Sequence, residues 1–264
     1  MSFLSADRIC AGYGKKKIVQ EISFDMDAGS LVGIIGANGS GKTTLLKALC
    51  GILPHKGACM LDHAALETMS SRQIASLVSY IPQRSGIHID ISALDVVLMG
   101  FNPRLGLLEH PTRQMRDEAV RALKEVGLAG CEETNYLHFS EGQKQLCILA
   151  RTLVADSKLL LLDEPESALD FHFRHKLLLL LRRWVACKQR GVIVTLHDPS
   201  LALNCCDKLI VLDNSTVLGL LEPKKDPLSK MEKMLRRVYG PISLTHCCNR
   251  NGERQIVILR EEEE

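Results

Sequence analysis

Leu31-Val-Gly-Ile-Ile35, followed at once by Gly36-Ala-Asn-Gly-Ser-Gly-Lys-Thr43, is the stretch that decides the fold of this 264-residue chain. Five residues without a polar side chain read as a strand buried on both faces. The eight after them match G-x-x-x-x-G-K-[ST], and the helical Thr44-Leu-Leu-Lys-Ala-Leu-Cys50 follows. In that setting Gly36, Gly39 and Gly41 let backbone N–H groups turn inward around an anion, and the helix N-terminus adds favourable partial charge. Asn38, Ser40 and Thr44 complete the loop. Lys42 is expected to reach the β- and γ-phosphates of a nucleoside triphosphate, and the Thr43 hydroxyl to ligate Mg2+.

Downstream, Leu159-Leu-Leu-Leu-Asp163-Glu164 places two acids at the end of a second apolar strand. Four apolar residues aim the pair at the carboxyl edge of a sheet, where Asp163 is expected to hold the metal and Glu164 to act as general base. Glu166 is a rival base, but it follows Pro165 and reads as turned off the strand. The strand Val192-Ile-Val-Thr-Leu196 ends at His197, and a parallel neighbour would deliver that imidazole to the same edge, within reach of the γ-phosphate. Between these strands a long helical stretch runs over residues 171–188, and another helical pattern, punctuated by Pro103 and Pro111, covers about 92–154. Strand, helix and strand in this order predict an α/β fold with a parallel sheet and a helical insertion. Nearer the start, alternation over residues 18–26 reads as a half-buried strand. Near the end, Glu222-Pro-Lys-Lys-Asp-Pro227 reads as a linker to a small appendage, and residues 261–264 as a solvated, frayed end.

Composition excludes several classes. Lys and Arg number 33 against 31 Asp and Glu, a net charge of +2, so no broad positive field for nucleic acid is expected. The longest apolar runs, Leu177 to Leu181 and Leu159 to Leu162, fall far short of a membrane span, and the first residues lack the basic and apolar regions of a secretory signal. Cytosolic placement is therefore expected. The ten cysteines include no C-x-x-C pair, and Cys205-Cys206 and Cys247-Cys248 are poorly spaced for joint ligation, so reduced structural thiols are expected.

Phe139-Ser-Glu-Gly-Gln143 opens a helix, with Ser140 and Gln143 spaced as a capping box. The orphan N–H groups that need such a cap can also take a phosphate. With this stretch in place the chain resembles the ATP-binding-cassette (ABC) ATPases, in which an "LSGGQ" signature closes over ATP held by the phosphate loop of a second copy. The resemblance implies a P-loop NTPase core of ABC type with an N-terminal antiparallel β subdomain over residues 1–222, a helical subdomain at about 88–155, and a C-terminal appendage over 223–264. It implies ATP and Mg2+ as ligands, Tyr13 stacking on adenine, and Gln83 of Tyr-Ile-Pro-Gln as the lobe-bridging residue at the metal and the reacting water. It also implies Asp170 of Ser-Ala-Leu-Asp in the cross-dimer loop, His197 as the switch, and Ser140, Gly142 and Gln143 at the phosphates of the other copy. Two positions depart from the pattern: Glu141 replaces the first signature glycine, and Glu166 stands where Thr is usual.

The interval from Gln83 to Ser140 is too short for the coiled-coil insertion of the chromosome-maintenance relatives, and a single phosphate loop excludes the tandem translation factors. What remains resembles the separate ATPase subunit of an importer. Leu94-Asp-Val-Val-Leu-Met-Gly-Phe-Asn-Pro-Arg104 and Arg237-Val-Tyr-Gly240 resemble the branch serving siderophore, haem and cobalamin uptake. The expected partners are a second copy, an integral membrane permease and, indirectly, a substrate-binding protein, with the chain peripheral on the inner face of the membrane and no nucleic acid bound. The alternatives are an importer ATPase for a metal or oxyanion and a soluble ABC ATPase without a transport role.

Overall fold

A computed structural model describes residues 2–83, 86–106, 108–186, 189–250 and 252–262. The chain opens with β1 (Leu4–Tyr13) and β2 (Lys16–Met26), then β3 (Leu31–Gly36), α1 (Lys42–Leu49), β4 (His55–Leu61) and the two-residue β5 (Ala64–Ala65). Next come α2 (Ser71–Leu77), β6 (Val78–Ile81), α3 (Ala93–Leu98), α4 (Arg113–Glu125), α5 (Glu141–Val154), β7 (Leu159–Asp163), α6 (Phe171–Ala186) and β8 (Gly191–Thr195). The chain closes with α7 (Pro199–Cys205), β9 (Lys208–Asp213), β10 (Thr216–Leu221), α8 (Leu228–Tyr239), β11 (Ile242–Cys248) and β12 (Arg254–Arg260).

The central sheet has the order β10-β9-β3-β8-β7-β6. All its pairings are parallel except β10 with β9. A second, antiparallel sheet runs β2-β1-β4-β5, and β11 and β12 form a hairpin. The apolar runs that carry no alternation in sequence are buried on both faces, and each divides its residues between two cores. Leu160, Leu162, Val192 and Val194 face the helices α3 to α6, whereas Leu159, Leu161 and Ile193 face α1 and the antiparallel sheet. This is how a parallel sheet covered on both sides reads in sequence.

Parallel order has a functional consequence. Strands β3, β8, β7 and β6 lie side by side, so the phosphate loop, His197, Asp163-Glu164 and Gln83, each placed at or just beyond the end of one of them in the chain, all emerge at one sheet edge.

The helical reading of the insertion resolves into α3, α4 and α5 with short 3-10 turns at Met99–Phe101 and Tyr136–His138. The expected helix over 171–188 is observed as far as Ala186; residues 187 and 188 lie outside the described residues, as do 263 and 264 of the expected frayed end. Glu261 is tied down, its N–H donating to the Pro241 carbonyl at 3.0 Å. Residues 222–227 form a closed turn, with the N–H groups of Lys225 and Asp226 both donating to the Glu222 carbonyl at 2.8 Å. Beyond this turn, the described residues Met231, Leu235, Ile242, Leu244 and Ile256 join the cluster that covers the helical face of the central sheet.

Candidate active site

The phosphate loop is shaped by what a side chain would hit. Gly41 sits at φ 101°, and a Cβ there would lie 2.6 Å from Val19 Cγ1, so only glycine turns the chain into α1. A Cβ on Gly36 would meet the Leu212 carbonyl at 2.5 Å and Ser40 Oγ at 2.7 Å. Gly39 is in the left-handed region at φ 79° with open space around it. Asn38 and Gly39 are exposed at the rim, whereas Ser40, Lys42 and Thr44 are buried.

Lys42 Nζ donates to the carbonyls of Gly36 at 2.9 Å and Ala37 at 3.3 Å. Burial lowers the pKa of this ammonium, and the carboxylates of Glu164, Asp163 and Glu166 oppose the shift. Thr43 Oγ1 donates to Asp163 Oδ1 at 3.0 Å. The same oxygen accepts from Thr195 Oγ1 at 3.0 Å, while Asp163 Oδ2 accepts from the Tyr80 hydroxyl at 3.3 Å. Burial, and after it the charge of Asp163, pushes the Tyr80 phenol far up, so it remains a donor.

Glu164 comes directly after β7 with φ 49°, a left-handed conformation unusual for a residue with a side chain. Its backbone N–H donates to Thr195 Oγ1 at 2.8 Å. Its Oε2 accepts from Gln83 Nε2 at 2.6 Å and pairs with His197 Nε2 at 2.7 Å. Glu164, Gln83 and His197 therefore form one cluster beside the Thr43–Asp163 pair. Tyr13, half exposed, and Lys16 close the outer wall of an open cleft of about 300 Å³ that runs along the loop to Glu164.

Ser140, Gly142 and Gln143 do not line that cleft. They open α5, where Ser140 Oγ accepts from the Gln143 N–H at 3.2 Å and Gln143 Oε1 accepts from the Ser140 N–H at 3.0 Å. Glu141 is exposed and pairs with Lys144 at 2.9 Å. Gly142 packs against the turn after Glu164, since a Cβ on it would stand 3.1 Å from the Ala168 carbonyl. Asp170 directly precedes α6, its Oδ1 accepting from the Phe173 N–H at 3.0 Å.

Glu166 leaves the strand as expected; its side chain turns inward, a direction the sequence reading left open, and is only 2% exposed, with Oε1 accepting the His197 backbone N–H at 2.9 Å. Sequence reasoning also missed Tyr80 and Thr195, which give no local motif; the register that sets Thr195 opposite both Asp163 and Ile34 is what brings it in.

The residues fit a nucleoside triphosphate with a divalent ion. Ser40 Oγ is buried in the loop and has no hydrogen-bond partner among the described residues, as suits a hydroxyl aimed at a phosphate. Thr43 and Asp163 bring hard oxygen donors together, the ligand type magnesium prefers. No cluster of three or more His, Cys, Asp or Glu able to hold a metal occurs among the described residues, so an ion here depends on this pair and on the nucleotide's own oxygens.

Comparison with known proteins gives the family. The ABC transporter family profile matches residues 19–167, more than half of the chain. The hemin import ATP-binding protein HmuV of Bordetella pertussis is 35% identical over 247 residues, covering 90% of this chain and 92% of its own. The petrobactin import ATP-binding protein FpuD of Bacillus anthracis is 29% identical over 237 residues, covering 89% and 86%. A chain from an inward-facing transporter assigned to the metal-chelate type superposes with a TM-score of 0.82 over 99% of both chains at 24% identity, which shows the fold. The chain thus belongs to the ABC transporter family, as one of its ATP-hydrolysing cassettes.

Proposed function

We propose that this cassette energises import of an iron chelate, haem or a siderophore, through a separate membrane permease, with cobalamin as the other substrate of the same branch. The names of the hemin and petrobactin relatives support the substrate class. No helix among the described residues is long and apolar enough to cross a membrane, in keeping with a permease supplied by other chains.

The observation that carries the catalytic reading is the Glu164 carboxylate, held by Gln83 and His197 at 2.6 and 2.7 Å next to the Thr43–Asp163 pair. The loop amides, Lys42 and the Ser40 hydroxyl bind the phosphates, Tyr13 stacks on the base, and Thr43 and Asp163 hold Mg2+. An ion held by that pair would supply positive charge against the phosphate oxygens. Glu164 accepts the proton of the attacking water, Gln83 orients it, and His197 contacts the γ-phosphate while fixing Glu164. A second copy supplies Ser140, Gly142 and Gln143, with Asp170 in the loop between the two sites. Closure of the two copies, driven by bound ATP and released by hydrolysis, is passed through the helical insertion to the permease.

Glu164→Gln is expected to keep ATP binding and to slow hydrolysis by about a hundredfold or more. Hydrolysis at the wild-type rate refutes the assignment of the base. Co-purification from membranes with a multi-span permease, and haem- or siderophore-dependent growth that fails with Glu164→Gln, test the transport reading separately.

A further inference from the structure

Glu166 is a charged-type side chain sealed beneath the site, and neither phosphate binding nor metal binding uses it. One oxygen accepts the His197 backbone N–H at 2.9 Å, and the other, Oε2, is buried without a hydrogen-bond partner among the described residues. The chain folds back around it, with the Ser167 N–H donating to the Glu164 carbonyl at 3.1 Å and the Leu169 N–H to the Glu166 carbonyl at 3.1 Å. His197 lies two residues beyond the end of β8, and its ring reaches Glu164 at 2.7 Å. Glu166 therefore links the exits of β7 and β8, the two strands whose ends carry Glu164 and His197.

We infer that Glu166 is a positioning residue for hydrolysis: by accepting the His197 N–H it fixes the chain after β8, and so holds the imidazole against Glu164. The inference rests on the assignment of Glu164 and His197 above. It differs from a role as general base, because the accepting oxygen is already committed to a backbone N–H and the side chain is turned into the protein. A glutamine could do the same work, since it keeps an acceptor oxygen at the same reach. An aliphatic side chain could not.

The test is steady-state ATP hydrolysis by the full chain, with ATP binding measured in parallel. Glu166→Gln is expected to stay within about threefold of wild type. Glu166→Leu is expected to lower kcat by about tenfold, the usual scale for a lost buried hydrogen bond, while the KM for ATP moves less than about twofold. In a His197→Ala background Glu166→Leu should add less than about twofold, because its effect runs through the imidazole. Glu166→Met provides the same comparison if the leucine variant does not fold. A Glu166→Gln variant as slow as Glu164→Gln would make Glu166 a base and overturn the inference, as would a full tenfold further loss in the His197→Ala background. Wild-type turnover by Glu164→Gln run alongside would overturn the underlying site assignment instead, so the two failures are distinct.

Discussion

Thr195→Val removes one oxygen and keeps the shape of the side chain, yet the structure makes it a severe change. Thr195 is fully buried, and its Oγ1 both accepts the Glu164 N–H at 2.8 Å and donates to Asp163 Oδ1 at 3.0 Å. Valine leaves a buried N–H unsatisfied, at about 1–3 kcal/mol, and strips a donor from a carboxylate, at about 1.5–3 kcal/mol. Because the two losses share one centre they do not simply add, and about 3 kcal/mol is the working figure. With a urea m-value of about 3 kcal/mol/M, the unfolding midpoint should fall by about 1 M. Thr195→Ser is the control, since it keeps the hydroxyl and loses one methyl, about 0.8 kcal/mol. Hydrolysis should fall in the same order, because the lost N–H bond holds Glu164 at its left-handed φ of 49°. Equal midpoints for the valine and serine variants would show that the hydroxyl bridge contributes nothing, and would refute the idea that β8 shapes the catalytic turn.

Gly41→Ala should destabilise by at least about 1–2 kcal/mol for the left-handed conformation alone, and should also weaken ATP binding, because the new Cβ would sit 2.6 Å from Val19; calorimetric melting and nucleotide titration check both. Burial pushes the thiols of Cys59 and Cys147 up to about 12, whereas Cys247 and Cys248 are exposed, so iodoacetamide near pH 8 should label the latter pair in the native protein and the former only after unfolding, as read by mass spectrometry. Burial also raises the Glu166 carboxyl above its ordinary 4.5, with Glu164 adding to the shift and the His197 N–H opposing it, and with Lys42 and Cys206 nearby. A raised folded pKa means that the native state binds more protons, so stability falls as pH rises from 4.5 through the raised value; Glu166→Gln should lack that decline when melting temperatures are compared across the range.

The phosphate loop and the Asp163-Glu164 pair were legible because each is a run of adjacent residues whose chemistry is complete within the run. His197 was legible for a related reason, since an apolar strand pointed to it. Tyr80 and Thr195 were not, because their meaning depends on which strands lie side by side: Tyr80 sits opposite Leu161, and Thr195 opposite Asp163, only once β6, β7 and β8 have paired. The direction in which Glu166 points was open for a different cause: β7 ends at Asp163, and the positive φ of Glu164 that follows belongs to no local motif, so nothing in the run itself shows that the next acid turns inward. The strand β1 was hidden by its own irregularity, since register shifts on either side of Ile9 spoil the alternation that marks a half-buried strand.

The signature helix poses the remaining physical question, because two of its N-terminal N–H groups, those of Ser140 and Gln143, are already engaged within the chain. The reciprocal bonds between Ser140 and Gln143 satisfy part of what a phosphate from a second copy would satisfy, so the proposed closure would exchange one set of acceptors for another instead of filling an empty site. Glu141 favours the helix start through the dipole, yet it is exposed and drawn aside by Lys144, which weakens its opposition to an incoming anion. Gly142 completes the connection: it leaves only enough room for the Ala168 carbonyl, and Ala168 lies in the turn that begins at Glu164. In the proposed dimer, the end of α5 assigned to the other copy's nucleotide therefore packs on the same turn that carries Glu164 beside this copy's phosphate loop. A shift of that turn on hydrolysis would then reach both ends through a single packed contact.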